Sequence, residues 1–203
     1  MNGKKIKIAG IDPSLTHTGI AIAELDLETM KFEVVKVFMA ETAKDNSKNI
    51  RRNSDDLRRA AIMADLIYEH TSDCVAVFAE IPTGAQSARA ALAFGVVIGL
   101  LAGITRCSAY KPAFIQVTPS EVKISIPEGS KNTSKEEIIE WAVTSWPTIG
   151  WDKVQKGSKF QFPSLGLKLG QHIEHPADAC AAINAGIKTD AFRNIAAIFA
   201  AHR

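Results

Sequence analysis

Asp12, Glu80, His175 and Asp178 can each ligate a cation or move a proton, and each stands where a backbone element is expected to stop. Asp12 ends the apolar strand pattern of KIKIAGID, Glu80 follows the run CVAVFA, and His175 and Asp178 open an alanine-rich helical stretch. The ends of elements are where a folded sheet exposes side chains to a cleft. Carboxylates and an imidazole converging on one spot repel or dehydrate one another unless a cation sits between them. The chemistry expected of such a set is metal-dependent hydrolysis of a phosphodiester.

Each residue also has a plainer reading. An Asp before Pro13, with Ser14 and Gly19 to follow, is a common turn former. Glu80 can be salt-bridged, although a charge directly after VAVFA is rare unless it is paired or liganded. Pro176 fits a first helical position, which makes His175 the cap and places Asp178 in the first turn, where the helix dipole favours negative charge. However, a spacing of three puts His175 and Asp178 on one side of the helix start, within reach of one ion. The plain readings together need three coincidences.

Three strands, Lys5 to Asp12, Gly19 to Leu25 and Phe32 to Met39, are expected to form an antiparallel meander. Asn53 to His70 carries Leu57, Ala60, Ala61, Ala64, Ile67 and Tyr68 at helical spacing. Its other face, with Arg51, Arg52, Arg58, Arg59, Asp55 and Asp56, reads as a solvated surface. Cys74 to Ala79 has the continuous apolar pattern of a central strand covered on both faces. A helix from about Ser87 to Thr105, a strand at Ala113 to Val117, a short helix begun by Thr118 and Pro119, and a helix capped by Thr133 or Ser134 and stopped by Pro147 follow. From Pro147 to His172 periodicity disappears, and Pro176 to Arg203 reads as helical with a break near Thr189. This order predicts an α/β fold: a mixed five-stranded sheet, antiparallel meander then parallel strands, with helices on both faces.

The 203 residues, 46% of them hydrophobic, suit one domain with a sizeable core. A net charge of +2 and a pI near 8.4 leave any nucleic-acid partner to be argued from local features. Cys74, Cys107 and Cys180 form no CxxC pair, so neither a disulfide framework nor a cysteine zinc site is expected, and a reducing cytoplasm fits. No signal-peptide pattern opens the chain. The longest apolar run, Ala90 to Ile104, falls short of the roughly 20 residues of a bilayer helix, so a buried core helix is expected and no membrane partner. Its Gly95, Gly99 and Gly103 share one face, open either to close packing on a sheet or to a subunit contact.

GIDPSLTHTGIAI, VFAE and HPADACAAI resemble, in order and approximate spacing, the three acidic motifs of the RuvC-type Holliday junction resolvases of the RNase H-like superfamily, over most of residues 5 to 188. The resemblance implies that Asp12, Glu80 and Asp178 bind metal and that His175 takes a position occupied by Asp or His. TPSEVK and NTSKEE resemble basic segments near the cleft, which implies phosphate contacts for Lys123 and Lys135. It also implies a homodimer acting on branched DNA, especially four-way junctions, with each subunit cutting one strand. The expected cofactor is Mg²⁺ or Mn²⁺, two ions about 3.5 to 4 Å apart bridged by Asp12. His175 would add a nitrogen ligand, tilting the site toward Mn²⁺, or serve as general base.

Against the family pattern, Ile81 to Arg89 (IPTGAQSAR) lacks the aromatic expected to stack at a junction centre. A single domain over 1-203 is expected, with a loop insertion at 147-173 and a C-terminal helical extension at 189-203, which hints at a phage or divergent member. Within the insertion Lys153, Lys156, Lys159 and Lys168 alternate with Trp151, Phe160 and Phe162. Lys153, Lys156 and Lys159 are expected to hold phosphates over the cleft while Phe160 stacks on a base, or else the segment is a surface loop with anchoring aromatics. Two competing functions share much of this pattern. One is a less selective nuclease for forks and flaps. The other is an actin-like or sugar-kinase-type ATP-binding protein, which needs a second Gly-rich phosphate loop that nothing after Glu80 supplies. A branched-DNA binder without catalysis would not need all four ligands.

Overall fold

The computed structural model describes residues 5–81, 84–107, 111–154 and 156–201. Strands β1 (Lys5–Asp12), β2 (His17–Asp26) and β3 (Phe32–Glu41) pair antiparallel as the meander. β4 (Ala76–Glu80) and β5 (Ala113–Val117) add in parallel on the other side of β1, giving the order β3-β2-β1-β4-β5. β1 is buried on both faces: Ile6 and Ile8 enter one apolar cluster, Ala9 and Ile11 the other. That two-sided burial is why β4 reads as a continuous apolar run.

Helices α1 (Arg52–Thr71) and α2 (Ala88–Cys107) cover one face. The other is covered by α3 (Pro119–Ser125), α4 (Lys135–Ser145), α6 (Glu174–Gly186) and α7 (Asp190–Ala201). Capping boxes at Thr118/Glu121 and Ser134/Glu137 start α3 and α4. Ser134 is the α4 cap, while the Thr133 hydroxyl accepts from the Ser130 N–H instead. Thr189 marks the break between α6 and α7, its hydroxyl accepting from the Phe192 N–H. α7 belongs to the core: Phe192 is fully buried and packs edge-on against Phe78, ring centroids 4.9 Å apart.

Three expectations need correction. The polar face of α1 is solvated only in part, because Arg51, Arg52 and Arg58 are exposed while Asp55, Asp56 and Arg59 are buried. Arg59 reaches the β1–β2 turn and the end of β3, donating to the Leu15 carbonyl (3.0 Å), Thr16 Oγ1 (2.6 Å) and Thr42 Oγ1 (3.0 Å). Asp56 accepts a bidentate pair from Arg89 at the start of α2, at 2.7 and 2.6 Å.

Secondly, α2 is not a buried core helix. It packs beside α1, with Val97 and Leu101 buried while Leu92 and Ile98 are 50% and 45% exposed. Among the described residues a Cβ at Gly95, Gly99 or Gly103 would meet nothing within 4 Å, so the glycine face is not packed on the sheet. Ala88–Arg106 is long and apolar enough to cross a membrane by length and composition.

Thirdly, 147–173 is not an irregular loop. It holds α5 (Trp151–Val154), β6 (Lys156–Phe162), a 3-10 turn at Pro163–Leu165 and β7 (Leu167–Leu169), with β6 and β7 paired antiparallel. Phe160, Phe162, Leu165 and Leu167 pack on the core while the lysines face water, so the apolar positions are too few to dominate the pattern.

Candidate active site

β1 and β4 run side by side with Ile11 opposite Ala79, so the next residues, Asp12 and Glu80, end neighbouring parallel strands. Strand spacing of about 4.8 Å puts their carboxylates within reach of a common ion. Helix α6 must come down on these strand ends, and two glycines permit it. A Cβ on Gly10 would overlap the Ala179 carbonyl oxygen, and one on Gly19 would overlap the His175 carbonyl group. Bare backbone on β1 and β2 therefore lets α6 lie directly on the sheet and delivers His175 and Asp178 to Asp12.

The helix begins earlier than its sequence implies: Ile173 is the N-cap, Glu174 the first helical residue and Pro176 the third. His175 is not the cap. Pro176 is tolerated because N–H groups in the first turn have no intrahelical partner. Asp178 thus sits beyond the first positions, and its environment is not that of a dipole-stabilised anion. Burial and the charges of Asp12 and Glu80 push its pKa well above the usual carboxylate range.

The other plain readings also give way. The β1–β2 turn is held by Ser14, whose hydroxyl accepts from the Thr16 and His17 N–H groups, and by Thr18, whose hydroxyl accepts from the Ser14 N–H. The Asp12 side chain is not spent on that turn. Its Oδ2 accepts a hydrogen bond from His175 Nδ1–H at 2.6 Å. Burial opposes the His175 imidazolium, but the hydrogen bond and charge of Asp12, aided by Glu174, outweigh it and raise the pKa above the ordinary value. Glu80 makes no ion pair among the described residues. Burial, then the charge of Asp12, push its pKa to about 7, against the pull of Lys135, Lys123 and His175.

Three carboxyl groups and an imidazole are therefore crowded into a half-buried pocket where burial and repulsion favour the protonated forms of Glu80 and Asp178. A divalent cation relieves that repulsion, and a donor set of carboxylate oxygens suits Mg²⁺ or Mn²⁺. Asp12, Glu80 and Asp178 would hold it. With Nδ1 of His175 engaged by Asp12, Nε2 is the nitrogen left for a ligand or a water.

Lys135, at the start of α4, lies close enough to influence Glu80, Asp178 and His175, and Lys123 of α3 bears on Glu80. The other basic candidates sit elsewhere. Lys153 lines a groove along the middle of β3, with Val35 to Met39 opposite. Lys156 and Lys159 are exposed on β6, and Phe160 is partly buried against the core with the Lys159 ammonium 5.0 Å from its ring centroid. Phe160 thus anchors the hairpin, and only the end of the 147–173 segment reaches the acids. Of the segment 81–89, residues 82 and 83 lie outside the described residues.

Sequence reasoning missed three neighbours of this pocket. His17, inside the motif GIDPSLTHTGIAI, stacks on His172 with centroids 4.1 Å apart, and the carboxylate of Glu174 has a buried Oε2 without a hydrogen-bond partner among the described residues. Burial, then the nearby His172, lower the His17 pKa. The spacing of His172 and His175 was the available signal.

A sheet ordered β3-β2-β1-β4-β5, with acids at the ends of its central parallel pair, is the RNase H-like arrangement. Within it, the chain is similar to Thermus thermophilus RuvC in complex with a Holliday junction substrate (TM-score 0.59, 17% identity) and to a second T. thermophilus RuvC structure (TM-score 0.56, 18% identity), each similarity covering 89% of this chain and 92% of the other. The chain has the RuvC-type fold. No protein-family profile and no curated protein sequence matches it.

Proposed function

We propose that this chain is a metal-dependent endodeoxyribonuclease that resolves four-way DNA junctions. The observation that carries this reading is the convergence of Asp12, Glu80, Asp178 and His175 at the strand ends of a RuvC-type fold. T. thermophilus RuvC, a protein of the same fold, has been seen with a Holliday junction substrate. Two divalent cations, when bound, supply Lewis-acid activation of the attacking water and neutralise charge at the leaving 3′ oxygen. Asp12, Glu80 and Asp178 would hold them, and Asp12 also fixes the His175 ring by accepting from its Nδ1–H. His175 Nε2 is thereby aimed as a ligand or as the general base for the attacking water. Lys135 and Lys123 hold phosphates beside the scissile bond. Lys153, Lys156 and Lys159 extend the basic surface farther along the duplex arm, beside the hairpin that Phe160 anchors.

A four-way junction presents two equivalent strands, which a two-fold dimer with two sites matches. The open glycine face of α2, flanked by exposed Leu57, Leu92 and Ile98, is the surface we assign to the second copy.

The test is to change Asp12→Asn, Glu80→Gln and Asp178→Asn separately. Each variant should lose cleavage in Mg²⁺ or Mn²⁺ while binding a junction in Ca²⁺ within about threefold of wild type, since phosphate contacts supply most of the affinity. Retained cleavage by the Asp12 variant would overturn the site. A less selective nuclease for forks and flaps is the second reading. It is favoured by the absence of an aromatic in IPTGAQSAR together with the packing of Phe160 into the core.

A further inference from the structure

We propose that His17, His172 and His175 bind a divalent cation of the zinc class, at a site distinct in its donor chemistry from the neighbouring carboxylates. The three rings come from three elements: the first residue of β2, the turn after β7 and the first turn of α6. One ring nitrogen from each lies within 4.8 Å of the other two. His17 and His172 are stacked with an interplanar angle of 11°, and their centroids lie 5.9 and 6.0 Å from that of His175.

Two further observations point to a ligand. His172 has φ 73°, the left-handed region that residues with a Cβ rarely occupy, and this conformation accompanies the stacking of its ring on His17. Glu174 places a half-buried carboxylate, its Oε2 unpartnered among the described residues, where its charge acts on all three imidazoles. A cation among the rings would satisfy that charge.

The tautomer of His175 is set in the required way. Its Nδ1–H donates to Asp12, which leaves the lone pair on Nε2 and makes it more basic, as carboxylates commonly do for metal-binding histidines. Three nitrogens around Zn²⁺ at about 2.0 to 2.1 Å stand roughly 3.3 Å apart, so the rings must close from their present separation by turning about Cβ–Cγ, a torsion with broad minima. Imidazole nitrogens favour Zn²⁺, Co²⁺ or Ni²⁺, whereas Mg²⁺ keeps oxygen ligands. The two neighbouring sites therefore select different ions, and a cation on His175 Nε2 takes the ligand role of that nitrogen and excludes its use as the general base. A three-histidine set also leaves a fourth position open to water or a phosphate oxygen.

The probe is Co²⁺, titrated into the untagged chain in excess Mg²⁺ and followed by visible absorption, which is intense for four-coordinate nitrogen-bound Co²⁺ and weak for six-coordinate oxygen-bound Co²⁺. The expected result is one intense-band Co²⁺ per chain, displaced by Zn²⁺. Affinity should fall by about tenfold or more in His17→Gln and in His172→Gln, and stay within about threefold of wild type in Asp178→Asn. The two histidine variants lie on different elements, and circular dichroism verifies that each is folded. A weak, oxygen-type spectrum would overturn the proposal. So would unchanged affinity in both histidine variants, or loss of the band in Asp178→Asn alone. No DNA and no cleavage enter this test, so its failure is separate from failure of the nuclease reading.

Discussion

Glu80→Gln should stabilise the metal-free protein while abolishing its activity. The change keeps the size of the side chain and removes its charge from a pocket already holding Asp12 and Asp178. The folded Glu80 carboxyl titrates near 7 rather than 4.5, so it binds its proton more tightly folded than unfolded. Stability from this group is therefore complete below pH 4.5, declines as pH rises toward 7, and is lost above that. At about 1.36 kcal/mol for each pH unit between the two values, the charged carboxylate costs the metal-free fold up to about 3 kcal/mol at pH 8. For a chain of this length that corresponds to a Tm difference of up to roughly 12 °C. The assay is thermal and urea denaturation in a chelator at pH 5 and pH 8. The Gln variant should be the more stable at pH 8, with most of the gap closed at pH 5. Adding Mn²⁺ at pH 8 should reverse the order, because the wild type gains more binding free energy in its folded state. A variant less stable than wild type at pH 8 without metal, or a difference independent of pH, would refute the argument that repulsion in an empty acidic pocket is relieved by cations.

Gly19→Ala should destabilise the fold by about 1–3 kcal/mol and reduce cleavage far more than a surface change, because its Cβ needs the space of the His175 carbonyl group. Denaturation and junction cleavage measure the two effects, and a variant with wild-type values for both would contradict the packing of α6 on β2. Gly99→Glu, which points into open space among the described residues, should leave circular dichroism unchanged and, if α2 forms the proposed two-fold contact, give a monomer by light scattering where the unaltered chain gives a dimer. A dimeric Gly99→Glu would place the contact elsewhere. Changing Lys153, Lys156 and Lys159 together to Ala should lower the salt dependence of junction binding by up to about three phosphate contacts, and an unchanged salt slope would leave the basic surface to Lys123, Lys135 and the exposed Arg51 and Arg52.

The parts of the fold legible in the sequence were those whose burial is two-sided or alternating. β4 carries a continuous apolar run because both faces of the sheet are covered there, and β1 alternates before it turns apolar. Thr118 and Ser134 announce α3 and α4 through capping boxes, a local signal. Asp12 and Glu80 could be located because a charge at the end of a buried strand is costly unless a partner or an ion meets it. What escaped depends on long-range contact. Arg59 looks like any helix-surface arginine until the β1–β2 turn and Thr42 offer it three oxygens. The exposure of α2 cannot be read from its composition, since an apolar helix looks the same whether covered by sheet or by a partner. The start of α6 was misplaced because Pro176 fits the first helical position so well. The β6–β7 hairpin was hidden by its lysines, although Phe160 and Phe162, then Leu165, Leu167 and Leu169, alternate with period two.

The central claim is tested most directly by offering the untagged chain equimolar amounts of a synthetic four-way junction, a Y-fork, a flap and a linear duplex, in Mg²⁺ or Mn²⁺ and in chelator. Cleavage should require the metal and be strongest on the four-way junction. It should fall as paired nicks on two strands related by the junction's symmetry, leaving linear duplex intact. Equal cutting of every substrate would contradict junction resolution, and no cutting of any of them in either metal would contradict the nuclease itself.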